Sequence, residues 1–245
     1  MITLAPETLF RIGSFPVTNT IVDMLFIDAV LIGITIAVNK NIKKVPGMLQ
    51  NIMESILQLV YNLTESVAAE RTKKIFPYFM TFFLFILISN WSGLLPILTT
   101  VGLFEHGEHG EVFIPIARSA STDLNSTLAL ALISLIATHS MSIRTLGIKE
   151  YLERFFSFNP FKLFIGLLEL ISEFTKIISF SFRLFGNIFV GEVMLGSLAA
   201  VSAFLLPLPL IMYELAVGVI QAVIFGMLTM AFMSMFTTSH KAESH

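Results

Sequence analysis

The sequence predicts an all-α integral membrane protein: about five membrane-embedded helices plus an interfacial amphipathic helix, with the last two helices long, steeply tilted and paired as a hairpin. Three observations carry this. Of 245 residues, 55% are hydrophobic and only 13% charged, about half the charged share of a soluble domain. Apolar runs recur at the length of about 20 residues that crosses a roughly 30 Å hydrocarbon layer. Basic clusters follow some of these runs, and an acidic loop follows another, as a fixed topology requires. The whole chain, 1–245, is taken as one membrane domain. Mean hydropathy of +0.83 agrees with this, and 24 Phe and 12 Met against one Trp suit lipid-facing and interhelical surfaces. No basic patch exists for nucleic acid. With no cysteine, disulfides, thiolate metal sites and cysteine nucleophiles are excluded.

The first span is 20–39, stopping at the basic Lys40, Lys43 and Lys44. "MITLAPETLFRIG" before it lacks a signal peptide's basic region and apolar core, so the span is expected to be retained. Its Asp23 and Asp28 are expected to make interface or partner contacts. Residues 45–71 differ: Leu49, Ile52, Met53, Ile56, Leu57, Val60 and Leu63 recur at helical spacing, with Gln50, Asn51, Glu54 and Gln58 opposite. Such a helix either lies at the interface or packs on another segment of protein. A charge-free span, 75–104, ends near Gly93 and Pro96, and the acidic loop Glu105–Glu111 follows. The next span, 124–143, precedes Arg144, Lys149 and Arg154. Applying the positive-inside rule puts Lys40–Lys44, Arg71–Lys74 and Arg144–Arg154 in the cytoplasm, with the N-terminus and the acidic loop outside.

The C-terminal third is built otherwise. Residues 160–194 form one helical pattern that would be about 50 Å long at 1.5 Å per residue, far beyond a bilayer core. It carries Lys162, Glu169, Glu173, Lys176, Arg183 and Glu192, so it must tilt and bury a polar stripe against protein or water. Pro207 and Pro209 mark a bend, and a second long helix, 210–238, returns with Glu214 and Gln221. The two halves of the chain do not match, which argues against a secondary transporter built from repeats.

Arg183 poses the central problem. An arginine at mid-membrane costs roughly 2.5–3.5 kcal/mol on insertion scales, keeps its charge, and lies too far from a helix end to snorkel easily. It is either a structural salt bridge or a functional fixed charge. Ser179, Arg183 and Asn187 are four apart and share a face, whereas Glu192, nine further on, falls on the opposite one. Glu192 and Arg183 therefore should not pair. Glu214 and Gln221, seven apart, share a face of the return helix, with Glu192 and Glu214 near the bend and Gln221 close to the level of Arg183. Glu173 and Lys176 have the spacing of a helical ion pair.

"FRLFGNIFVGEVM" and "ELAVGVIQAVIFGMLTMAFMSM" resemble the subunit a family of the F-type ATP synthase, the stator of its proton channel. "VPGMLQNIMESILQLVYNLTES", "FPYFMTFFLFILISNWSGLLP" and "TDLNSTLALAL" resemble that family's earlier segments in the same order, so nearly the whole chain is covered. The resemblance implies two proton half-channels and a hairpin packed against a ring of c subunits. It makes Arg183 the fixed charge facing the ring carboxylate, and Asn187, Glu192 and Gln221 polar residues of the proton path. Glu214 stands where some members have a histidine, so here two carboxylates would titrate as a coupled pair. Ser179 joins the path by sharing the arginine's face. Asp123, with Asn125 beside it, is either an entrance residue or a helix cap.

Implied partners are the c-ring, the peripheral-stalk subunit b, the bilayer and translocated protons, with sodium open; no cofactor or metal is implied. The expected location is a bacterial plasma membrane, with the C-terminus cytoplasmic. No catalytic site of its own is expected. An intramembrane hydrolase is the alternative, but no H-E-x-x-H spacing occurs among His106, His109, His139, His240 and His245. No glycine-rich phosphate loop is present either.

Overall fold

The computed structural model describes residues 5–40, 42–43, 46–95, 100–107, 110–156, 160–202 and 205–238, and leaves out the side chains of Leu49, Lys162 and residues 104–113. Lys44, Pro96, His109, His240 and His245, all named above, lie outside the described residues.

The chain opens with a hairpin, β1 (Thr8–Ile12) and β2 (Phe15–Thr18), turned at Gly13 with φ +62°. It seats on the start of α1 (Asn19–Lys40), where Glu7 and Asn19 exchange hydrogen bonds. The first turns of α1 are its buried part, through Asn19, Thr20, Asp23 and Ile27. Beyond them Ile32 and Ile36 are exposed. Asp23 corrects an expectation. It is 1% exposed, an internal anchor and not a contact for a partner, while Asp28 is exposed.

Helix α2 (Met48–Ala68) turns its apolar face, Ile56, Val60 and Leu63, onto the core. Its outer face is laced by Gln50–Glu54 and Gln58–Asn62 hydrogen bonds of 2.8 and 2.7 Å. Of the two roles open to this amphipathic helix, packing against protein is thus met. A 3-10 turn, Ala69–Arg71, leads into α3 (Thr72–Ser92). Arg71 Nη1 ties this corner to Thr237 Oγ1 at 2.9 Å.

The span expected over 75–104 is corrected at its far end. The helix stops at Ser92, and Gly102–Gly107 is strand β3, paired antiparallel with β4 (Gly110–Pro115). Asn90 and Trp91 spend their donors on carbonyls of another helix. Gly93 lies so close to Ser119 that a Cβ there would approach its Cβ to 2.8 Å. Leu103 and Phe104, the end of the expected span, lie in the hairpin, where composition alone does not tell strand from helix.

Helices α4 (Leu124–Leu146) and α5 (Ile148–Phe155) meet at Gly147, φ +84°. Helix α6 runs Pro160–Val201 and α7 Pro207–Thr237. Pro207 opens α7 within its first turn, where a missing N–H costs nothing. The two prolines therefore begin the return helix, and the chain turns before them. Five helical segments are long and apolar enough to cross a membrane, among the described residues: α1, the α2–α3 run, α4, α6 and α7.

Helix α7 is the hub. Gly218, Ala222 and Gly226 recur every four residues on the face toward α3, the small-residue pattern that lets membrane helices approach. A Cβ on Gly226 would overlap the Phe79 ring, and one on Gly218 would sit 3.1 Å from Asn90 Cβ. Asn90 Nδ2 donates to Gly218 O (3.1 Å) and Trp91 Nε1 to Leu215 O (3.2 Å). Phe225 is shared by Phe82 of α3 (5.4 Å) and Phe180 of α6 (5.0 Å). The basic residues Lys40, Arg71, Lys73, Lys74, Arg144 and Arg154 gather toward the end where α7 finishes, and both hairpins lie at the other.

Gly226→Leu is expected to wedge α3 from α7 and destabilise the subunit by about 1–3 kcal/mol. A lower thermal transition of the purified complex in detergent checks this, and an unchanged transition would show that the helices have room to part.

Candidate functional site

Two polar zones occupy opposite ends of the α6–α7 pair. The first begins with the segment after β4. Asp23 accepts hydrogen bonds from Ala120 N (2.9 Å) and Ser92 Oγ (3.0 Å), and Ser119 Oγ donates to Ser89 O (2.6 Å). This knot clamps residues 118–123 against α1 and α3 and aims Arg118 inward, 7% exposed. Arg118 Nη2 and Nε lie 3.1 and 3.3 Å from Glu192 Oε2. Both groups line a cavity of about 120 Å³, together with Asn90, Thr122, Ile188 and Glu214.

Glu214 reaches this cavity because of a missing side chain. Gly191 of α6 leaves the space that the Glu214 carboxylate fills, and a Cβ there would collide with all three carboxyl atoms. Glu214 is 5% exposed. The sequence-expected neighbours Glu192 and Glu214 therefore do share one cavity. Arg118, which sequence reasoning missed, joins them; a lone arginine in the small-residue run "IPIARSASTD" was the available signal.

Asp123 is resolved toward the cap. It accepts from Asn125 N (3.0 Å), Ser126 Oγ (3.2 Å) and Thr20 Oγ1 (3.3 Å), closing the N-terminus of α4 and joining it to α1. It is not among the residues lining the cavity.

The second zone lies near α5. Glu173 pairs with Lys176 at 2.5 Å, as its spacing predicts, and stands 3.6 Å from His139 Nε2. Glu173 and Lys176, with Ser134 and Thr138, line a void of about 20 Å³, room for a water molecule. Arg154 closes this end with a 2.6 Å pair to Glu169. The Phe236 ring lies between Arg154 (4.1 Å to the centroid) and Lys176 (4.8 Å). His139 lies within α4 and donates or accepts at Tyr151 Oη, 3.1 Å away. On helix α5, burial pushes the Tyr151 phenol up, Glu173 and Glu169 add to this, and Arg154 opposes it.

Between the zones the helices meet through apolar side chains. Phe180, Leu184, Ala222 and Phe225 are all buried there. The Gly191–Glu214 and Phe180–Phe225 contacts fix one antiparallel register. That register sets Gln221, 7% exposed, level with Leu184 and beside Arg183 in height. Glu173 and Glu192 are nineteen residues apart along α6, about 28 Å at 1.5 Å per residue. Arg183 falls midway.

Arg183 itself points away from both zones. It is exposed, along with Ser179 and Asn187 on the same face. Its Nη2 contacts Ser179 Oγ at 3.2 Å, and among the described residues no carboxylate pairs with it. Phe182 and Val190, both over half exposed, flank it. A charge left unpaired on the outward face of a membrane helix is costly.

The fold and these groups define a multi-pass membrane protein with ionisable side chains on its long apolar helices. The family model described as the ATP synthase A chain matches residues 21–234, and the chain belongs to that family. It is 30% identical to ATP synthase subunit a of Moorella thermoacetica over 235 residues, 96% of this chain and 98% of that protein. The family is the membrane-embedded subunit a of the ATP synthase, which serves proton transport and ATP synthesis and is not the catalytic subunit.

Gly191→Ala is expected to evict the Glu214 carboxylate and lower both proton pumping and complex stability, the latter by about 1–3 kcal/mol. The same change should add little once Glu214 is alanine. Equal losses in both backgrounds would disconnect the two residues.

Proposed function

We propose that the chain supplies two proton half-channels and the fixed charge that couples them to rotation of a c-ring. The observation that carries the reading is the position of Arg183. It lies halfway between two internal polar zones separated by apolar packing, yet faces outward.

The cavity of Arg118, Glu192 and Glu214 is the access path from the outer side. Water reaches the half-exposed Glu192, and a proton passes to Glu214 and on toward Gln221. The Glu173 zone is the path to the cytoplasmic side, where the basic clusters gather in keeping with the positive-inside rule. Each path ends at the level of the ring carboxylate. There Arg183 attracts the ionised carboxylate and favours loss of its proton. As a charge that does not itself titrate, it also bars direct passage between the paths. Ser179 holds the guanidinium and Asn187 flanks it on the ring face, and Asp123 contributes as the cap that fixes the outer mouth. Moving one charge across about 100 mV is worth about 2.3 kcal/mol, the energy each transfer delivers to the rotor. The partners are the c-ring and the peripheral-stalk subunit b in a bacterial plasma membrane, with the N-terminus outside and the C-terminus cytoplasmic. The translocated ion is the proton, the same geometry serving sodium where the ring site selects it.

Arg183→Ala should abolish ATP-driven proton pumping in vesicles while leaving the complex assembled on native gels. Pumping at the normal rate in that variant would remove Arg183 from the mechanism.

A further inference from the structure

His139 has no part in the mechanism above, yet its surroundings are arranged around both ring nitrogens. Nδ1 is 3.1 Å from the Tyr151 hydroxyl on α5, and Nε2 is 3.6 Å from the Glu173 carboxylate on α6. The ring is held edge-on by Phe236 at 5.3 Å and by Tyr151 at 5.8 Å, with Phe155 tilted against it at 6.3 Å. It is 19% exposed, and Tyr151 is half-buried at the rim. The charged groups around it are few. Glu173 faces it from α6 with Lys176 on the carboxylate's other oxygen, and the Arg154–Glu169 pair stands beyond Phe236. From α7 it meets the Phe236 ring. A histidine serving only as packing would need neither nitrogen directed at a group that exchanges protons.

We propose that His139 relays protons between the Tyr151 hydroxyl at the rim and the Glu173 carboxylate at the inner void. The inference rests on reading the chain as a proton-path subunit. Transfer toward Glu173 starts with the proton of imidazole on Nε2. Hydrated proton from the cytoplasmic side binds Tyr151 Oη as the hydroxyl gives its own hydrogen to Nδ1. The Nε2–H bond breaks and its hydrogen joins Glu173, so water, tyrosine and a neutral imidazole remain and the carboxylate has gained one proton. Tyrosine stays neutral throughout, in keeping with its raised affinity for its proton. Exchange with solvent returns the ring to its starting tautomer, and the reverse sequence runs in the opposite direction of rotation. Imidazole suits this because its two nitrogens accept and donate at once near neutral pH.

The test is ATP synthesis by the whole complex in liposomes, driven by a potassium–valinomycin potential without a pH difference, so that an added weak base leaves the driving force intact. His139→Ala should slow synthesis at least about tenfold, and free imidazole should restore most of the rate by occupying the vacated socket. Tyr151→Phe, which keeps the ring packing, should slow it likewise. Normal synthesis in either variant would overturn the relay, as would a slow His139→Ala complex that imidazole does not revive. If His139→Ala fails to assemble, Tyr151→Phe decides alone. Synthesis that survives Arg183→Ala in the same assay would overturn the underlying reading instead. A relay failure with Arg183 still essential would leave that reading standing.

Discussion

A guanidinium halfway along α6, on a face turned away from the rest of the chain, constrains everything around it. Arg183 can neither snorkel from the middle of a 42-residue helix nor find an acid within the described part of its own chain. The fold answers by turning it outward and committing the rest of α6 to two separate tasks. The inward face packs, through Phe180, Leu184 and Ile188. The ends of that face carry the carboxylates, Glu173 on one side and Glu192 on the other. The length that first looks excessive for a bilayer is the length needed to hold three charged levels on one rod.

That division depends on how α7 packs. Its glycine and alanine stripe brings α3 close enough for Asn90 and Trp91 to bond to its backbone, which fixes the height of Glu214 and Gln221 against α6. The polar knot at Asp23 then holds Arg118 in place beside Glu192. A buried pair such as Arg118–Glu192 is weak evidence for stability, because desolvation offsets much of its attraction. Its significance lies in location: it puts a fixed positive charge next to two carboxylates in the same cavity.

Much of this was legible from spacing. The four-residue interval of Ser179, Arg183 and Asn187 put them on one face, nine residues put Glu192 on the other, and the structure has both. Glu173 and Lys176 pair as three-residue neighbours do. Contacts between distant segments were not legible. Asp23 looked like a surface acid because its partner Ala120 is 97 positions away, and Arg118 looked like part of a loop because Glu192 is 74 positions away. His139 sat in an apolar run with nothing nearby in sequence to mark Tyr151 and Glu173 as its neighbours. Hydropathy alone extends the span through Phe104, because it does not separate a crossing helix from the strand that begins at Gly102.

The proposed meeting of the Arg183 face with the mid-membrane carboxylate region of the ring is open to direct measurement. Cysteines introduced at Asn187 and at that region of the ring subunit, in an otherwise intact complex, measure it directly by disulfide formation under mild oxidation. Rapid crosslinking is expected from Asn187→Cys and none from a cysteine at Leu184, three residues away and buried against the chain's own helices. No crosslink from Asn187→Cys in a verified, assembled complex, or equal crosslinking from both positions, would contradict it.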